Sequence, residues 1–220
     1  MVFKIFLILI GMGAYYLGLS FSLYQKRFQK RLLKNVLIGL ITGFILTANV
    51  IVLILQVFHY DFYLHLPFHF LSLVGAPILE ELAKSVTIYY LGFLLQGTVT
   101  KFELIRLSGG LGLGFGSMET LHYVIRGLGY NETIGRLFIT VPFHLSTALL
   151  IGLGLTKNKL ILITIPLAIA LHSLFNHLAL TNINLQMMSA WILLIASYFL
   201  SEFLGFRSKQ PLFRLQKKGE

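Results

Sequence analysis

Long apolar stretches recur along the whole chain, and this pattern constrains its fold more than any other feature. A run of about 20 apolar residues can cross the hydrocarbon core of a bilayer as one helix. About seven runs fit this length, at about 3–24, 36–58, 68–96, 105–127, 136–155, 160–181 and 186–206. Mean hydropathy is +0.81 and only 12% of the residues are charged, about half the share in a soluble domain. The sequence therefore predicts an all-α, polytopic membrane helix bundle of about seven helices in a single domain, 1–220.

The basic residues predict how the bundle is oriented. They concentrate in alternate connections, at Lys26, Arg27, Lys30, Arg31, Lys34, Lys101, Arg106, Lys157 and Lys159, and in a tail at about 207–220. The other connections hold only Lys4, Arg126 and Arg136. Because cytoplasmic loops are rich in lysine and arginine, we expect the N-terminus outside, the C-terminus inside and a basic cytoplasmic tail. The net charge of +10 then reflects orientation in the membrane, and we expect no nucleic-acid partner.

Ionisable and amide side chains inside the predicted spans are few. A charged side chain at the bilayer centre costs about 2.5–3.5 kcal/mol on insertion scales, so such residues are functional candidates. The candidates in spans three to six are Glu80, Glu81, Lys84, Glu119, His122, His144, His172, Asn176 and His177. At about 1.5 Å per residue from the predicted outer boundary, Glu80 lies about 12 residues deep, and Glu119, His144 and His172 about 8 or 9. We therefore expect the side chains at these depths to share one layer of the membrane.

Spacing within the spans predicts that each helix presents one polar face. One helical turn separates the members of three pairs, Glu80 and Lys84, Glu119 and Tyr123, and His172 and Asn176. We expect Lys84 to offset the charge of Glu80 across that turn. Pro77 lies one turn before Glu81 and leaves a carbonyl group without its helical partner. The long third span is therefore expected to bend, or to begin as a short re-entrant piece.

Glycines crowd the fourth predicted span just before Glu119. Gly110 and Gly114, and likewise Gly112 and Gly116, form small-xxx-small pairs that let another helix backbone approach closely. A glycine-rich dinucleotide loop would follow a strand, whereas this segment lies in a membrane span. We therefore expect these glycines to serve helix packing.

The residue types inside the spans narrow the chemistry. Polar clusters in membranes serve proton relays, transporters or hydrolysis. The single aspartate, Asp61, lies in a predicted outer loop, and neither a cysteine nor the zinc motif H-E-x-x-H is present. Ser117 and Ser173 stand in no nucleophile motif. Glutamate combined with histidine remains for hydrolysis, while a structural ion pair at Glu80, hydrogen bonding by His144 alone and proton-coupled transport stay open.

Four segments taken together resemble one protein family. They are E-E-x-x-K at Glu80, Glu81 and Lys84, F-x-x-x-E at Phe115 and Glu119, the histidine His144, and H-x-x-x-[DN] at His172 and Asn176. In order and spacing these segments, over about 70–180, resemble the PrsW family of intramembrane proteases, a distant relative of CAAX prenyl proteases and CPBP immunity proteins. Thr120 and Asn176 stand where family members often have asparagine and aspartate. The resemblance implies a catalytic core at about 68–181.

The resemblance also implies a role for each carboxylate. Glu80 would be the general base that activates a water. Glu81 and Glu119 would orient that water or help to transfer its proton.

The remaining residues of the cluster would serve the oxyanion and the pocket. By the same resemblance, His172 and Asn176 would donate hydrogen bonds to the tetrahedral oxyanion, and His144 would complete the polar pocket. Supporting residues would be Lys84, His122 and Tyr123.

The resemblance leaves metal dependence open. A metal-free glutamate mechanism without a cofactor is expected. If Zn²⁺ or another divalent metal takes part, the ligands would be Glu80, Glu119, His144 and His172.

A membrane-anchored protein is the substrate that the resemblance implies, such as the anti-sigma factor that some bacterial members cut. The alternatives are a CPBP-like immunity protein that keeps the pocket without proteolysis, and a proton-coupled transporter. Against a transporter, the sequence contains no internal inverted repeat.

Overall fold

The structure is a computed structural model that describes residues 1–20, 29–64, 71–96, 98–156 and 160–207. Every regular element in these ranges is a helix, so the predicted all-α fold class is confirmed. The α-helices are α1 (Val2–Ser20), α2 (Gln29–Leu64), α3 (Ala76–Leu94), α4 (Lys101–Ile125), α5 (Tyr130–Phe138), α6 (Thr140–Leu155), α7 (Ile161–Thr181) and α8 (Ile183–Arg207). Each predicted span corresponds to one of these helices, except that the fifth is the consecutive pair α5 and α6. Most of the predicted basic tail, and the loop residues Lys26, Arg27, Lys157 and Lys159, lie outside the described residues.

Not every described helix is apolar enough to cross a membrane by its composition. Five segments are long and apolar enough, namely Val2–Leu19, Lys30–Ile51, Tyr130–Leu155, Ile161–Thr181 and Ile183–Phe203. α3 differs because it carries Glu80, Glu81 and Lys84. α4 is buried from Phe102 to Ser117, so its side chains meet other helices and not lipid. The two long helices that are less apolar, α3 and α4, carry Glu80, Glu81 and Glu119.

Glycines let the neighbours of α4 approach this central helix closely. A Cβ atom at Gly110 or Gly114 would overlap the backbone of α2. On an adjacent face, a Cβ at Gly112 would overlap the backbone of His144 in α6. The predicted packing role of these glycines is confirmed. Their absence of side chains brings His144 beside the helix that carries Glu119.

Two ion pairs tie together the ends of α2, α4 and α8. Arg31 Nε lies 2.9 Å from Glu103 Oε1 in the first turn of α4. One turn further along α4, buried Arg106 pairs with buried Glu202 of α8. The prediction of Arg106 as a loop residue is wrong, because α4 begins at Lys101 and takes Arg106 into the bundle. We call this region, formed by the first turns of α2 and α4 and the last turns of α8, the basic end.

A π-helical turn, Leu71–Gly75, leads directly into α3. Pro77 lies in the first turn of α3 and lacks an N–H to donate to the preceding turn. The distortion that was predicted near Pro77 therefore takes the form of a change from π to α geometry. A re-entrant start before residue 71 falls on 65–70, outside the described residues. α2 runs to Leu64, so Asp61 lies in its last turn and not in the predicted loop.

Candidate active site

Glu81 stands at the centre of a buried cluster between α3, α6 and α7. Its Oε1 atom accepts hydrogen bonds from Lys84 Nζ at 2.7 Å and from His172 Nδ1 at 2.7 Å. The side chains of Glu81 and Lys84 are both fully buried. The direct ion pair of Lys84 is with Glu81, and Lys84 opposes the charge of Glu80 only from a greater distance.

His144 of α6 joins this pair to α4. Its Nδ1 atom lies 2.9 Å from Lys84 Nζ, and its Nε2 atom lies 2.8 Å from Glu119 Oε2. A lysine ammonium group only donates hydrogen bonds, so Nδ1 accepts. Nε2 therefore carries the ring proton and donates a hydrogen bond to Glu119 Oε2. This hydrogen bond fixes the tautomer of the ring. Both nitrogens of His144 are thus engaged by neighbours within the protein.

Arg136 of α5 holds Glu119 from the other side. Its Nη2 atom donates to Glu119 Oε1 at 2.6 Å, and its guanidinium group lies 4.2 Å from the ring centre of Tyr123. Sequence reasoning placed Arg136 among the outer basic residues and missed this contact. The sequence did offer one indication of this role. Arg136 is one of only three basic residues in the connections predicted on the outer side, with Lys4 and Arg126. Thr147, one turn after His144, was also missed; its Oγ1 atom lies 3.4 Å from Lys84 Nζ.

Glu80 differs from its neighbour Glu81 in the exposure of its side chain. Its Oε2 atom is buried without a hydrogen-bond partner and lies 3.8 Å from His172 Nε2. Glu81 Oε2 is also without a partner, but the side chain of Glu81 is 0% exposed and that of Glu80 is 12% exposed. Glu80 is therefore the more exposed carboxylate of this pair.

The side chains of Glu80, Glu119, His144 and His172 form one connected cluster in the structure. Contacts below 4 Å connect Glu80 to His172, His172 to Glu81, and, through Lys84, Glu81 to His144. His144 in turn reaches Glu119. These contacts bring together the side chains that the sequence predicts at a common depth.

Three of the predicted residues lie at the edge of this cluster. Asn176 is half-buried one turn after His172 on α7. His122 is half-buried and meets the ring of Tyr123 edge-on, with ring centres 5.9 Å apart. Tyr123 is 41% exposed and reaches the cluster through Arg136. The site therefore has a buried polar centre and a partly exposed rim on α4 and α7.

A divalent metal fits part of this arrangement. Among the described residues, Glu80, His144 and His172 each offer one ligand atom, and these atoms lie within 4.8 Å of one another. The bond from His172 Nδ1 to Glu81 leaves Nε2 facing Glu80, as in sites where a carboxylate orients a metal-binding histidine. His144 fits less well, because both of its nitrogens are engaged. Glu119, the fourth ligand considered from the sequence, is engaged by His144 and Arg136.

A buried glutamate–histidine cluster in a bundle of apolar helices defines the class of this protein, a multi-pass membrane protein with the residues of an intramembrane hydrolase. A sequence model described as PrsW family intramembrane metalloprotease matches residues 30–201. The chain belongs to the PrsW family of intramembrane proteases. The match reaches beyond the predicted 70–180 and includes most of α2 and α8. Neither a curated protein nor a solved structure matches the chain.

Proposed function

We propose that this chain cleaves a membrane-anchored protein by hydrolysis of a peptide bond beside Glu80 and His172. The observation that carries the proposal is the Oε2 atom of Glu80, which is buried, has no hydrogen-bond partner and faces His172 Nε2 at 3.8 Å. A carboxylate oxygen with a free lone pair, on the more exposed glutamate of the cluster, suits a general base. Membership of the PrsW family supports proteolysis as the reaction.

Glu80 would transfer the proton, and His172 would stabilise the oxyanion. Glu80 takes a proton from a water whose oxygen attacks the scissile carbonyl carbon. His172 lies between two carboxylates, with Nδ1 on Glu81 and Nε2 toward Glu80, and the role proposed here requires a proton on both of its nitrogens. From Nε2 it can donate a hydrogen bond to the oxyanion, with the amide of Asn176 as a second donor. Glu80 then returns its proton to the amine nitrogen as the carbon–nitrogen bond breaks.

The other members of the cluster would hold this geometry. Glu81 fixes the ring of His172 through Nδ1, as the aspartate of a catalytic triad fixes its histidine. Glu119 and Lys84 fix His144 from its two sides. In this proposal Glu81, Glu119 and His144 are positioning residues, and only Glu80, His172 and Asn176 meet the reacting atoms.

A metal-dependent reaction is the second candidate, and the family description favours it. Glu80 and His172 would hold the ion, with His144 as third ligand once it gives up its bond to Glu119. When bound, a divalent ion supplies Lewis acidity that polarises the scissile carbonyl group. The engagement of both nitrogens of His144 supports the metal-free mechanism over this one.

A cleavage assay with a chelator tests both candidates. The purified chain in liposomes would be mixed with a panel of single-span membrane proteins, with and without 1,10-phenanthroline, and its metal content would be measured. We expect cleavage that persists in the chelator. Stoichiometric zinc in the wild type that is lost in His172→Ala, together with inhibition by the chelator, would establish the metal-dependent reaction instead. Absence of cleavage of every substrate would favour an immunity protein or a transporter.

We further propose that the basic end faces the cytoplasm, with the N-terminus outside. Lys30 and Lys34 are exposed in the first turns of α2, and cytoplasmic ends are rich in such residues. Because the chain has no cysteine, a single introduced cysteine reports its own side. We expect Lys30→Cys to react with an impermeant maleimide only after the membrane is opened, and Asn131→Cys to react in intact cells. The reverse labelling pattern would show that the N-terminus faces the cytoplasm.

A further inference from the structure

An apolar groove of about 450 Å³ lies between α1 and α8, with α6 behind it. Its lining includes Ala14 and Gly18 of α1, Leu145 of α6, and Trp191 and Tyr198 of α8. Leu145 follows His144 in the chain, so the two side chains leave α6 in different directions. The groove is therefore separate from the Glu80 cluster, and both helices that flank it are candidate membrane spans.

The surface that lines the groove is almost entirely apolar. The hydroxyl group of Tyr15 donates to the carbonyl oxygen of Leu137 at 3.2 Å. The ring of Tyr198 packs against the guanidinium group of Arg106, with 4.3 Å between the guanidinium carbon and the ring centre. The groove therefore presents carbon to its occupant, which has to be an apolar chain or an apolar surface.

The groove lies toward the basic end of the bundle. Ala14 and Gly18 belong to the last turns of α1, and neighbouring Tyr16 donates to the carbonyl oxygen of Leu33 in α2 at 3.1 Å. Lys34 follows Leu33 and is exposed, as is Lys30 one turn earlier. Positive charge thus lies at the membrane level where a lipid in this groove would have its headgroup.

We propose that this groove binds an acyl chain of an anionic phospholipid whose headgroup lies near Lys30 and Lys34. A substrate helix of about 20 residues, roughly 10 Å wide and 30 Å long, would exceed the groove several-fold. An acyl chain fits its volume and its lining. Because lipid tails are as apolar as the groove, selectivity has to come from shape and from the headgroup. The exposed lysines supply that second element.

Trp191 makes the proposal directly measurable, because it is the single tryptophan of the chain and it lines the groove. The protein would be placed in vesicles that mix phosphatidylglycerol and phosphatidylcholine, with bromine on the chains of one lipid and then of the other. Bromine quenches tryptophan fluorescence on contact. We expect brominated phosphatidylglycerol to quench at least about twofold more than its mole fraction predicts, and brominated phosphatidylcholine correspondingly less.

Two glycines of α1 supply a matched pair of variants. A Cβ atom at Gly18 or at Gly13 would meet no heavy atom within 4 Å, so either position accepts a larger side chain. Gly18→Leu would fill the groove and is expected to abolish the excess quenching, while Gly13→Leu keeps it. Lys30→Gln combined with Lys34→Gln is expected to remove only the preference for the anionic lipid.

Other results would overturn the proposal. Quenching in proportion to mole fraction in the wild type would mean that the groove does not select an anionic lipid. Gly18→Leu with unchanged excess quenching would place the lipid elsewhere. Tryptophan quenching does not depend on proteolysis. The lipid proposal can therefore be tested independently of the proposed function.

Discussion

Glu80→Gln is expected to lower the rate of substrate cleavage by about 10²–10⁴-fold, the usual contribution of a general base. Glutamine keeps the shape of the side chain but cannot take a proton from a water. The folded protein should lose little, because Glu80 Oε2 has no hydrogen-bond partner to give up. Initial cleavage rates in liposomes and Tm in detergent would be measured on the same preparations.

A second glutamate provides the control for this change. Glu132 is exposed on α5, so Glu132→Gln makes the same chemical substitution away from the cluster and should cleave like the wild type. Cleavage by Glu80→Gln at the wild-type rate would remove Glu80 from the reaction. A large fall in its Tm would show instead that Glu80 serves the fold.

The sequence predicts which residues gather because membranes make polar side chains conspicuous. Glu80, Glu119, His144 and His172 stand out from apolar surroundings, and a helix has a fixed rise per residue, so their common depth can be counted. The identity of the family could also be read from the same residues, and the match over 30–201 confirms it.

Which of these residues pair with one another cannot be predicted from the sequence. Lys84 lies within reach of both Glu80 and Glu81, since neighbours three and four residues away share a helix face. In the structure Lys84 Nζ contacts Glu81 and, at the same time, His144 Nδ1 of α6. Likewise, Arg106 and Glu202 lie near the ends of predicted spans, but the packing of α4 against α8 buries them together as an ion pair. Such choices depend on helix packing and not on local spacing.

Glu81→Gln is expected to destabilise the protein by about 3–5 kcal/mol, the cost of leaving one member of a buried ion pair without its partner. Both side chains of this pair are fully buried, with Lys84 Nζ 2.7 Å from Glu81 Oε1. The neutral amide keeps one acceptor oxygen but leaves the ammonium group of Lys84 without its counter-charge. We expect a marked fall in Tm and loss of cleavage that follows the loss of folded protein.

The double variant Glu81→Gln with Lys84→Met distinguishes a stabilising role from a catalytic one. Removing both charges costs less than removing one, so the double variant should recover most of the stability that Glu81→Gln loses. A positive coupling between the two changes in free energy of unfolding would establish the pair as a unit. If Glu81→Gln instead unfolds like the wild type and fails only in cleavage, the roles of the two adjacent glutamates have to be exchanged. Glu81 Oε2, which is also without a partner, would then be the base, and the uncommitted oxygen of Glu80 would only line the path to it.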